Sequence, residues 1–188
     1  MPTIGLIVEG VWDVEVLSRF TGRLNPSGID IRPRICRGSI RGRYPSLLRE
    51  LAATSHPDRV VVISDAHGRD HRELAADLQR EISHHVFTFP VHFVVLVQEL
   101  EALLLADLRA IETVCARRGT PIPDLGNLAE TPENIQDPKA YLQSIIRRHS
   151  GSAYTKVIAA EIATEANLST VTGWCLSFRR LRDAVTLG

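Results

Sequence analysis

Three segments of this 188-residue chain place acids directly after a short apolar run. Thr3–Val8 (TIGLIV) leads into Glu9-Gly10-Val11-Trp12-Asp13, Arg59–Ser64 (RVVVIS) into Asp65-Ala66-His67-Gly68-Arg69-Asp70, and Val91–Val97 into Gln98-Glu99-Leu100-Glu101. A carboxylate facing inward at a strand end is costly unless a cation or a hydrogen-bond donor neutralises it. Several on one edge make an oxygen-rich site of the kind that Mg²⁺ and Mn²⁺ prefer. Gly10 and Gly68 would let the backbone turn tightly and come close to a phosphate. A plainer role competes, because an acid at a strand end also caps the following helix, and Asp65 or Asp70 could do only that. Three coordinated strand ends favour the shared site.

The 22 basic and 22 acidic residues cancel, so no global field draws the chain to nucleic acid or a membrane. Locally the balance fails: the stretch from Ile31 to Arg49 holds no acid but contains Arg32, Arg34, Arg37, Arg41, Arg43 and Arg49. Within it, residues 37–43 (RGSIRGR) read as a mobile, glycine-rich loop leaving the same edge as the acids. Arg37, Arg41 and Arg43 could there track a phosphate backbone, or the loop could be a solvated turn paired with nearby acids. All basic residues except Lys139 and Lys156 are arginines. Arginine suits bidentate phosphate contacts, although a codon bias toward it explains the excess equally well. The seven histidines lack the spacing of a zinc site: His84 and His85 are adjacent, Gly68 separates His67 from His71, and no His-Glu-x-x-His occurs. Ser177 has no visible His–Asp partnership. The aromatic content of 5% argues against stacking platforms for single strands. Cys36, Cys115 and Cys175 are scattered without Cys-x-x-Cys spacing, which suits a reducing cytoplasm.

The elements that must position these residues follow from two hydrophobic periods. Strands are predicted at Thr3–Val8, Ile29–Cys36, Arg59–Ser64 and Val91–Val97, with Pro33 putting the second at an edge. Between them run helices over Val11–Leu24, Tyr44–Ala53 and about Asp70–Ser83, and a fourth continues from Glu99 to about Arg117. Strands alternating with helices predict βαβ crossovers and a mainly parallel sheet. Residues 119–137 have loop composition. Helical patterns follow near Pro138–His149, Tyr154–Ala166 and Thr172–Leu187. The expected organisation is one domain over 1–188, with an α/β core (1–118), a loop (119–137) and a helical extension (138–188) continuous with the core. Glu9 and Asp13 interrupt the only N-terminal apolar stretch, and no apolar run is long enough to span a bilayer, so a soluble, cytoplasmic protein is expected.

The pattern of strand, Glu-Gly-x-x-Asp, helix, then a hydrophobic strand ending in acids and a glycine resembles the Toprim domain of topoisomerases, primases, ribosomal-RNA maturases and overcoming-lysogenization-defect (OLD) nucleases. It stands here as Ile4–Asp13 and Val60–Asp70. More narrowly, the chain resembles a compact Toprim-related bacterial family of unknown function, often encoded beside AAA-type or ABC-like ATPases. The residues that carry this second resemblance are Gln98–Asp107 (QELEALLLAD), Asp137-Pro138-Lys139, Tyr154-Thr155-Lys156 and Ser177–Leu181 (SFRRL). Together the ordered motifs span nearly the whole chain.

The resemblance implies an α/β, Toprim-like (Rossmann-like) sheet of about four strands with a C-terminal helical layer. It also implies a metal-dependent nuclease acting on DNA more readily than RNA, in a defence or repair system with an AAA/ABC-type ATPase partner. Glu9 would be the general base or acid, supported by Asp13. Asp65 with His67 or Asp70, and Glu101, would join Glu9 in holding one or two Mg²⁺ or Mn²⁺ ions. Lys139 and Lys156 would each neutralise a phosphate oxygen or leaving group, though either could be a helix-surface lysine. Many Toprim proteins carry a second Asp where this chain has His67, a ligand that Mn²⁺ accepts better than Mg²⁺. A non-catalytic subunit that uses the same fold to bind a partner ATPase or nucleic acid is the rival expectation.

Overall fold

The computed structural model describes residues 1–38, 40–119 and 124–186. Ser39 of the arginine loop, residues 120–123 of the expected 119–137 loop and Leu187 of the expected last helix lie outside the described residues.

The chain has an α/β fold. Strands β1 (Thr3–Val8), β2 (Asp30–Ile35), β3 (Arg59–Asp65) and β4 (Val91–Leu96) form a sheet of order β2-β1-β3-β4, and every pairing is parallel. Pro33 lies on the edge strand β2, where its missing N–H leaves no central ladder position unfilled. The three acid-bearing strands are consecutive neighbours, with Ile7 opposite Val62 and Asp65 opposite Leu96. Their carboxyl ends therefore open on one edge.

Both sheet faces are covered, so the central strands read as unbroken apolar runs. On one face, Ile7, Val60 and Val62 pack with Tyr44, Leu48 and Leu51 of α2 (Tyr44–Thr54) and Leu74 and Leu78 of α3 (His71–Glu81). Gly5 allows this approach, because a Cβ there would stand 2.9 Å from Leu51 Cδ1. On the other face, Ile4, Leu6, Val8, Val61, Ile63, Val94 and Leu96 join α1 (Val11–Leu24) and the whole C-terminal helical layer in one core. Phe20 of α1 meets Phe178 edge to face at 5.0 Å, a geometry that adds to the burial itself. Val11 at the start of α1 is exposed, and its buried stripe is Val16, Leu17, Phe20 and Thr21.

Two predicted helices are broken. The segment expected as Glu99–Arg117 forms α4 (Glu101–Leu105) and α5 (Leu108–Ala116). Asp107 interrupts it by accepting from the Arg109 N–H at 3.2 Å and, across the fold, from the Asn167 N–H at 2.7 Å. After a 3₁₀ turn at Pro132–Asn134 come α6 (Pro138–Ser150) and α7 (Lys156–Glu165). The last predicted helix then splits at Cys175 into α8 (Leu168–Trp174) and α9 (Leu176–Val185). Among the described residues no helix is long and apolar enough to cross a membrane.

Candidate metal centre at the carboxyl edge of the sheet

Glu9, one residue past β1, is fixed from the neighbouring strand. Its Oε1 accepts from Ser64 Oγ at 2.5 Å and from the Asp65 N–H at 3.2 Å. Asp13 lies in the first turn of α1 and accepts from the Gly10 N–H at 2.8 Å, closing the helix start. Gly10 itself is extended (φ −141°), a conformation open to any residue, so the sequence expectation of a special turn there does not hold. It does hold in the β3–α3 loop, where His67 and Gly68 both have left-handed backbones (φ 48° and 77°).

Asp65 ends β3 among the other acids. Desolvation, followed by the charges of Asp13, Glu9, Glu101 and Glu99, holds its carboxyl well above the usual carboxylate range. Burial also raises Asp13, against the Gly10 amide. Burial raises Glu101 too, against the pull of the Lys139 ammonium, which stands 3.9 Å from its Oε1. Tyr154 donates to the same oxygen at 3.4 Å. Burial and the Glu101 charge push the Tyr154 phenol up, which keeps its proton in place.

Sequence reasoning passed over Glu99 as a ligand, although it lies in the same Gln-Glu-Leu-Glu run. Its carboxylate stands 3.5 Å from His67 Nδ1, and its Oε2 is enclosed without a hydrogen-bond partner. Ser64, Trp12 and Tyr154 also border the site. Tyr154 had a signal in the Tyr-x-Lys motif; Trp12, at an unspecified position of Glu-Gly-x-x-Asp, and Ser64, on the strand, had none.

The remaining candidates sit differently. Asp70 Oδ1 caps α3, accepting from the Arg72 and Glu73 amides at 2.7 and 3.0 Å, and those bonds lower its pKa. Asp70 thus serves as the N-cap of α3. Lys156 stands exposed at the first position of α7, with no ion pair among the described residues. The arginine loop lacks acids in sequence but meets them in space. Arg41 pairs with Asp77 of α3, the Gly42 N–H donates to Glu81, and Arg43 donates to the Arg37 carbonyl at 2.6 Å. The Cys36 thiol, raised by burial, also feels both Arg43 and Glu9, so the loop borders the acidic edge.

Among the described residues no three His, Cys, Asp or Glu side chains are grouped tightly enough to hold one ion as they lie. The donor chemistry nonetheless suits a hard divalent cation. Glu9, Asp13, Glu99 and Glu101 crowd Asp65, with Lys139 as the ammonium against Glu101, and an enclosed Glu99 oxygen lacks a donor.

No curated protein is significantly similar to the chain. Two solved structures are similar along its length. One is the C-terminal region of the Burkholderia pseudomallei OLD protein, at 20% identity and a TM-score of 0.47, covering 97% of this chain and 98% of that one. The other is the C-terminal region of the Xanthomonas campestris pv. campestris OLD protein, at 16% identity and a TM-score of 0.47, covering 97% and 95%. The family described as "Domain of unknown function (DUF4276)" matches residues 16–186, nearly the full length, and the chain belongs to it.

Proposed function

We propose that the chain is a divalent-metal-dependent nuclease acting on DNA phosphodiesters, working with an ATPase partner in a defence or repair system. The observation that supports this reading most is the convergence of acids from three neighbouring strand ends around Asp65, with a Glu99 oxygen left without a donor. Asp65, Glu101, Glu99 and Glu9 would hold Mg²⁺ or Mn²⁺, with His67 beside Glu99. Asp70 would enter only through the oxygen its cap leaves free. Such an ion, when bound, polarises the scissile phosphate and stabilises the leaving oxygen.

The chain's own groups do the rest. Ser64 and the Asp65 amide hold Glu9 by one oxygen, leaving the other to take or give a proton as general base or acid. Asp13 supports it from the start of α1. The Lys139 ammonium can turn from Glu101 to a phosphate oxygen. Lys156 lies exposed two residues beyond Tyr154 and would act on the same substrate. Arg37, Arg41 and Arg43 would take flanking phosphates, which requires Arg41 to exchange Asp77 for the substrate.

A second reading, a non-catalytic subunit binding a partner ATPase or nucleic acid, is favoured by one observation: His67 stands where the Toprim pattern it resembles carries a second acid. The test compares wild type, Glu9→Gln and His67→Asp on DNA with Mn²⁺, Mg²⁺ or EDTA, with and without the partner. Cleavage is expected with metal only, better with Mn²⁺. Glu9→Gln should lose roughly 100-fold or more, as for removal of a general base. His67→Asp should shift preference toward Mg²⁺. Equal activity in wild type and Glu9→Gln would mark a contaminant, and no activity in any variant, with no ion bound in crystals soaked in Mn²⁺, would hand the case to the second reading.

A further inference from the structure

Trp12 lies between the two acids of the Glu9-Gly10-Val11-Trp12-Asp13 turn, yet 36% of its surface stays open to solvent. Tyr154 props its ring from α7's side at a centroid distance of 5.2 Å and a tilt of 55°. The same Tyr154 reaches Glu101 through its hydroxyl. Lys139 Nζ stands 5.7 Å from the Trp12 ring centre while pairing with Glu101. An indole, a phenol and an ammonium thus form one lip of the acidic edge. Leaving a large aromatic ring partly exposed at that lip forfeits part of its burial.

We propose that Trp12, propped by Tyr154, receives an unpaired nucleobase next to the phosphate at the acidic edge, so that the substrate class is single-stranded or frayed DNA rather than intact duplex. This rests on the nuclease reading for the identity of the phosphate. A flat π-face accepts any base. The incoming base displaces the ammonium from the ring, and the adjoining phosphate takes that ammonium up. In an intact duplex the bases are already stacked on one another and cannot reach the ring without unpairing.

The test uses the full chain with Trp174→Phe, which leaves Trp12 as its sole tryptophan. A short single-stranded deoxyoligonucleotide is titrated in EDTA, beside a blunt duplex and a single-stranded oligoribonucleotide of equal length. The single-stranded DNA should quench Trp12 emission saturably, and the duplex should need about tenfold more to do so. By fluorescence anisotropy, Trp12→Ala should weaken single-strand binding about tenfold, the loss of one stacked base. Trp12→Phe should retain most of the affinity, and every variant should still melt in one cooperative transition above the titration temperature. Lys139→Gln should lower the salt slope by about one. Absence of quenching, equal response to duplex, stronger response to RNA, or Trp12→Ala binding as wild type would each overturn the proposal. EDTA removes the need for catalysis, so the two readings fail separately. Glu9-dependent cleavage without quenching would sink the stacking site alone; quenching without cleavage would leave it standing and sink the nuclease.

Discussion

Asp65 is where the chemistry of single residues is most exposed to experiment. Its carboxyl is desolvated and faces the charges of Asp13, Glu9, Glu101 and Glu99. Asp13 and Glu101 are raised as well, chiefly by burial. Because folding raises these pKa values, the folded chain binds more protons than the unfolded one. Their contribution to stability is therefore full below the ordinary carboxylate range and is lost as pH rises through the raised values. Without metal, the melting temperature should fall as pH is taken from mildly acidic to neutral. Asp65→Asn should flatten that decline and raise the neutral-pH melting temperature by about 3 °C, on the scale of roughly 1 kcal/mol in a chain of this length. A divalent cation should stabilise wild type more than Asp65→Asn at neutral pH. Thermal melts across pH with EDTA or Mn²⁺ check all three points. A variant with an unchanged pH profile would show that the carboxyls do not repel.

At the scale of elements, α9 depends on a carboxylate supplied from outside it. Its N-cap, Cys175, makes no side-chain cap bond, and buried Glu133 of the 3₁₀ turn accepts from the Leu176 and Ser177 amides instead, both at 2.8 Å. Ser177 Oγ then accepts the Val97 N–H at 2.9 Å, which ties α9 to the end of β4 beside the site. Glu133→Ala should cost about 2 kcal/mol, as for a lost helix cap that leaves amides unmet. Glu133→Gln should cost less, since one acceptor oxygen remains. Urea unfolding of the pair measures both, and equal stability of Glu133→Ala and wild type would refute the cap. This device also shows where sequence reading stops. The four strands and first three helices follow from local periodicity, and so do the acids at the strand ends. Asp107 is a helix-capping residue type and Cys175 gives no local signature, but apolar spacing runs on across both and hides the breaks. They arise from contacts with distant amides or from caps supplied by distant residues. Arg41 reads as an uncompensated cation because Asp77, its partner, belongs to another element. A low aromatic fraction likewise hides that Trp12 and Tyr154, from opposite ends of the chain, meet at the site.

Over the whole molecule, one apolar core joins the sheet to the C-terminal helices. Ile4, Leu6, Val61 and Leu96 share it with Ile146, Ile162, Phe178 and Leu181, all essentially inaccessible. Polar ties run across the same boundary: Arg23 of α1 donates to the Ala163 carbonyl of α7 at 2.7 Å, and Arg59 at the start of β3 donates to the Ala184 and Thr186 carbonyls at 3.1 Å each. Residues 1–118 alone would keep α1, α4 and α5 on that core but lose α6 to α9 from it, at about 25 cal/mol for each Å² of apolar surface exposed. Small domains are stable by only about 5–15 kcal/mol, and exposing about 400 Å² of apolar surface at that rate costs about 10 kcal/mol, comparable to the whole margin. The full chain should therefore unfold in a single transition, with far-ultraviolet dichroism and tryptophan fluorescence superimposing. The fragment 1–118 should show no cooperative melt. The candidate metal centre should fail with it, because Tyr154 and Lys139 reach Glu101 from the helical layer. Two resolved transitions in the full chain, or a fragment that melts cooperatively, would instead make the helical layer a domain of its own.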